Sequence, residues 1–162
     1  MKNEEELATT HEQNFARVIH ELAQELAVDP DALLASRHLI VGGVDVGIVN
    51  YGAADYGRLT IFLDLGPIPA DREAAVNRRL LEQNLILPRT FGTFAVIPDN
   101  GHAALAYHFD ILDGITGEAV ANVMRGAVTQ QLNLAKPHGE SPHTKLASAQ
   151  QSRMVPSHAY SS

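Results

Sequence analysis

The chain has 162 residues, 45% of them hydrophobic and 19% charged, enough for one domain with a real core and too little for a second full one. Its formal net charge is −7, its pI is near 5.5, and no run of Lys and Arg offsets the acidity, so a nucleic-acid backbone is repelled and nucleic acid is excluded as a partner. Cysteine is absent, which removes disulfides, thiolate nucleophiles and Cys-ligated zinc and fits a reducing cytoplasm.

The opening MKNEEELATTHEQ is acidic and lacks the apolar stretch of a secretory signal. No uninterrupted apolar run approaches the ~20 residues that a bilayer span needs. The expectation is a soluble cytoplasmic protein with no membrane partner.

From Glu12 to Val28, Phe15, Val18, Ile19, Leu22 and Leu26 recur at helical spacing and define one apolar face. Asp29-Pro30 is expected to end that helix, followed by a short apolar turn around Leu33 and Leu34. The period then changes to two. HLIVGGVDVGIVNYG (38–52) carries a Gly42-Gly43 turn signal before Val44, Val46 and Ile48, and RLTIFLDLG (58–66) alternates Leu59, Ile61, Leu63 and Leu65 against Thr60, Phe62 and Asp64. Asp71 is the expected N-cap of a second helix running to Ile86, with Pro88 at its exit. TFAVIPDNGHAALAYHFDI (93–111) reads as a hairpin turning at Pro98-Asp99-Asn100-Gly101. From Thr116 a last helix carries Val120, Val123, Met124, Ala127, Val128 and Leu132.

Beyond Lys136 the chain is rich in Ser, Pro, His and Gln without a period, and residues 137–162 read as a flexible polar tail on a single domain of residues 1–136. The order is helix, three strands, helix, two strands, helix, tail: an α+β fold with a twisted antiparallel sheet of about five strands and three helices.

A search for chemistry returns little. His11-Glu12 and His20-Glu21 begin like a zinc-protease motif but lack the second His, and the two histidines, nine positions apart, share no single helical turn and cannot clamp one metal, so both read as exposed or half-buried helix positions. VGGVDVG lacks both the P-loop Lys-Ser/Thr and the GxGxxG spacing and runs into a strand rather than a helix. Asp45, Asp64 and Asp110 fall on strands opposite the apolar face, where solvated carboxylates are common, and no base–nucleophile pair accompanies them. Neither a catalytic residue, a metal ligand nor a cofactor is predicted, and the sequence argues against an enzyme.

One stretch holds more apolar surface than a single helix stripe requires: RRLLEQNLILPRTFGTFAVIPDNGHAALAYHFDI. Its Leu80, Leu81, Asn84, Leu85, Gly92, Asn100-Gly101 and Leu105, with Leu65, Gly66, Ile68 and Pro69 upstream, resemble the signature of class I type III secretion chaperones, the Tir-chaperone (CesT-like) family. The resemblance covers roughly residues 12–135. It implies a small acidic cytoplasmic homodimer that binds an unfolded segment of a secreted effector protein without ATP hydrolysis. On that resemblance Leu80, Leu81, Leu85, Phe94 and Val96 would form the dimer contact, the alternative being that they fill the monomer core. Val18, Ile19, Leu22, Leu26, Val44, Val46, Ile48, Ile61 and Leu63 would contact the client, again with core as the alternative, since alternation gives two faces without saying which one is covered. Two other readings stay open: an adaptor domain of the same fold with a folded partner, and a small ligand-binding enzyme using Asp45, Asp64 or His108.

Overall fold

The computed structural model describes residues 3–135. The first unit spans Met1–Gln131; of the second, Leu132–Ser162, only the end of one helix is described, so the predicted tail lies outside the described residues.

Helix α1 runs Glu4–Leu26 and starts well before Glu12 because Asn3 caps it. The Asn3 side chain accepts the Glu6 N–H at 2.8 Å, and the Glu6 carboxylate reaches back to the Asn3 N–H at 3.3 Å, a reciprocal box that satisfies two orphan donors. Ala27, at φ 54°, closes the helix in the left-handed conformation. Asp29 therefore opens an element instead of ending one. It accepts the Ala32 N–H at 2.7 Å, with Pro30 at the first position of helix α2, Pro30–Ser36, where no N–H is needed. The three expected helices become four, because seven residues are too few turns to leave a periodic signal.

Strands β1, His38–Val41, and β2, Val44–Asn50, are joined by Gly42 and Gly43 at φ 57° and 81°, the positive values that a two-residue hairpin turn demands. Strand β3 spans Arg58–Pro67. A 3-10 turn over Ala70–Arg72 takes the place expected for an Asp71 cap, and helix α3 follows as Glu73–Ile86 with no side-chain cap. A second 3-10 turn, Arg89–Phe91, leads into β4, Thr93–Val96, and β5, His102–Asp110. Helix α4, Gly117–Ala135, begins where the Thr116 hydroxyl accepts the Ala119 N–H.

The strands form one antiparallel sheet in the order β1-β2-β3-β5-β4. Register pairs Leu59 with Phe109, Ile61 with Tyr107 and Leu63 with Leu105, so these side chains share a face with Val46 and Ile48. Phe15, Val18, Ile19 and Leu22 of α1 and Val120, Ala121 and Met124 of α4 join them in one continuous core. Helices on one face of an open antiparallel sheet are the expected α+β layering. Among the described residues no helix is long and apolar enough to cross a membrane.

Candidate functional site

The nine side chains expected to touch a client are brought together, but as core. Val18, Ile19, Leu22, Val46, Ile48, Ile61 and Leu63 are buried, and Leu26 and Val44 are partly buried against them. The helices cover the sheet face that carries these residues, a choice that strand alternation leaves open.

The segment expected at a dimer contact is placed differently. Helix α3 buries no residue. Leu81 and Leu85, four apart on one stripe, are 70% and 88% exposed, and Ile86 is 71% exposed. Phe91 and Val96 continue the exposed apolar run. Leu80 is half-buried, and Phe94 is partly buried against the core. Three of the five expected residues thus stand exposed on α3 and the segment after it, an apolar ridge to which the structure adds Ile86 and Phe91. The side-chain oxygen of Asn77, on the same helix, is buried without a hydrogen-bond partner.

Asn84 fixes this ridge to the sheet. Its carboxamide accepts the Phe94 N–H at 2.7 Å and donates to the Phe94 carbonyl at 2.9 Å, occupying the outward edge of β4 as a peptide group would. Gly92 makes the close entry possible. At φ 82°, a Cβ there would lie 2.8 Å from the Ala106 carbonyl oxygen, a clash in a conformation that side chains already disfavour. At the other end of the sheet, the Ser36 hydroxyl accepts the His38 N–H and donates to the His38 carbonyl, which closes β1 there in the same way.

The polar residues do not converge. Asp45 lies 3.2 Å from His38 and Asp64 2.8 Å from His102, while Asp110 accepts the Leu112 N–H. Thr60 hydrogen-bonds His108, whose pKa is lowered by burial and by the Arg58 cation, against the opposing pull of Asp55. Burial raises the Tyr107 pKa. Glu21 is held below its ordinary value chiefly by the Gly117 N–H, aided by Arg17 and opposed by partial burial. Among the described residues no group of three or more His, Cys, Asp or Glu is placed to hold a metal. His11, expected at or near the surface, is fully buried. Its Nδ1 accepts the Gly57 N–H at 2.9 Å, which leaves Nε2 to donate to Asn50, so it ties α1 to the β2–β3 connection. The spacing carried a signal of this that the residue type masked: His11 lies four residues, about one turn, before Phe15 and so continues the apolar stripe.

A groove of about 840 Å³ opens beside the last residues of β5, between Thr90, Gly92 and Thr93 on one side and His108, Asp110 and Arg58 on the other.

No curated protein matches the chain significantly. Among solved structures, a chain of the ExsC–ExsE complex is similar over 79% of this chain and 97% of its own, at 16% identity and a TM-score of 0.55. A chain of the ExoT–SpcS complex from Pseudomonas aeruginosa is similar over 74% of this chain and 96% of its own, at 16% identity and a TM-score of 0.51. At that identity the likeness establishes the fold. The protein-family comparison goes further, matching residues 17–135, well over half of the chain, to one family. The protein belongs to the Tir chaperone protein (CesT) family.

Proposed function

We propose that the protein is an ATP-independent cytoplasmic chaperone that binds an unfolded segment of a type III secretion effector and keeps it competent for export. The observation that carries this reading is the family match over residues 17–135. The two similar structures come from complexes, ExoT–SpcS and ExsC–ExsE, and a complex with an effector is the corresponding expectation here. The carboxylates and histidines each have a separate structural partner, which favours binding over catalysis.

The chaperone acts as a homodimer joined through Leu80, Leu81, Leu85, Phe94 and Val96, with Ile86 and Phe91 added. Support comes from the exposure of most of this set. A two-fold contact lets each copy cover the other's ridge, and burying one exposed Leu contributes about 1.5–3 kcal/mol. Of the expected client residues, Leu26 and Val44 lie at the margin of the core, where Leu34 and Val41 are also partly buried, and the client is proposed to contact that margin.

The test is to capture partners of the tagged protein from its native bacterium and map the captured chain by limited proteolysis. A stoichiometric secreted protein shielded over one extended segment supports the reading. Capture of a folded protein alone transfers it to the adaptor alternative.

A further inference from the structure

Charge is unevenly spread along the chain. It has 19 Asp and Glu against 12 Lys and Arg, yet between Glu73 and Asp99 it carries Arg78, Arg79 and Arg89 against a single acid, Glu82. That same span holds the exposed Leu81, Leu85, Ile86, Phe91 and Val96. Helix α3 brings the two sets together. Its Val76, Asn77, Leu80, Gln83 and Asn84 are half-buried on one side, which leaves the other side wet. Arg78 stands three and seven positions before Leu81 and Leu85, and Arg79 seven before Ile86, spacings that put cation and apolar group on one helix face. Arg78 pairs with Glu82 at 2.9 Å. Arg79 and Arg89, both exposed, have no ion-pair partner among the described residues.

A two-fold contact sets this face against its own copy, so Arg79 of each chain enters one interface, and like charges there oppose association. We infer that the ridge also receives an acidic amphipathic helix from a protein other than the client, in place of the second copy. The occupant is helical because the wet side of α3 offers side chains only. Its main chain is bonded within the helix, and a docked helix brings its own main chain already satisfied. Leucines three and four apart on the partner pack beside Leu81 and Leu85, and glutamates or aspartates flanking them meet Arg79. The inference rests on the reading of this ridge as a contact surface, and it leaves the client margin at Leu26 and Val44 free. The second copy and the acidic helix are therefore rivals for one face, and the partner converts a dimer into a 1:1 complex.

Sedimentation velocity of the full-length protein tests this with two capped peptides of about 18 residues, roughly five helical turns. Both carry leucines at helical spacing among alanines; one has glutamate on the flanking positions and the other lysine. The glutamate peptide is expected to bind about tenfold more tightly than the lysine peptide, against the pull of the −7 net charge, and to turn the dimer into a 1:1 complex. Raising NaCl from about 50 to 500 mM should weaken that complex and strengthen the dimer, because screening acts on an attraction in one and a repulsion in the other. Arg79→Glu, at an exposed site, should do both at low salt: about tenfold weaker binding of the glutamate peptide and a tighter dimer. Leu85→Asp should abolish both associations. Preference for the lysine peptide, equal binding of the two, or a glutamate peptide seated on an intact dimer overturns the inference. If the dimer forms and neither peptide binds, the inference fails and the two-fold contact stands. If the glutamate peptide binds through Leu85 to a protein that is monomeric at every salt concentration, the inference stands and the two-fold contact fails.

Discussion

Asn84 does with one carboxamide what a neighbouring strand does with a peptide group. Asn84→Ala leaves the Phe94 N–H and carbonyl without that partner, and a loss of about 1–3 kcal/mol is expected by chemical denaturation, with faster amide exchange at Phe94. Gly92→Ala forces a Cβ to 2.8 Å from the Ala106 oxygen at positive φ; its expected cost is about 1–3 kcal/mol. Asn84 and Gly92 both stood in the family-like pattern of the sequence, so their positions were legible. Their jobs were not, because each acts on main chain at Phe94 or Ala106, contacts set by the fold and not by local period. Glu21 adds a pH dependence. Its folded pKa is depressed, mainly by the Gly117 N–H, so its contribution is complete above the ordinary carboxylate range and is lost as pH falls below about 4. Glu21→Gln should lower stability at pH 7 and approach the parent stability at the acid end of that window, followed by denaturation midpoints at several pH values.

At the scale of elements, the sequence revealed which segments are helix and strand and missed what closes them. The 3.6-residue stripe of α1 and the alternation in β3 and β5 were plain, because each spans enough residues for a period to repeat. Helix α2 was not, and Asp29 looked like a stop for α1 when it is the cap of the next helix. The faces were harder still. Ile61 and Leu85 are both apolar residues at periodic positions, yet one is fully buried and the other 88% exposed. Only the packing of α1 and α4 over the sheet, with α3 left outside the core, distinguishes them. Ile61→Asp should therefore abolish the cooperative unfolding transition, since it places an unpaired charge in the core; a folded, stable Ile61→Asp protein would contradict the packing described here.

At the scale of the whole molecule, the apolar surface is concentrated on α3 and the segment after it, which a monomer would leave wet. Leu85→Asp is expected to give a folded monomer, because the side chain supports no intramolecular packing and sits in the middle of the proposed two-fold contact. Light scattering reads the mass and circular dichroism the fold; a dimer of unchanged affinity would remove Leu85 from the interface. A net charge of −7 keeps such a surface from associating indiscriminately.

The side-chain plugs at the two ends of the sheet matter for a protein of this kind. Asn84 covers the main chain of Phe94, and Ser36 that of His38. A chaperone works among extended polypeptides, the same material from which cross-β fibres grow, and an unguarded strand on its own surface would seed stacking of copy upon copy. An amide at Phe94 and a hydroxyl at His38 interrupt the outward main chain of the two outer strands, so the run on which a second copy could stack is shortened and the protein is a poorer template for a fibril.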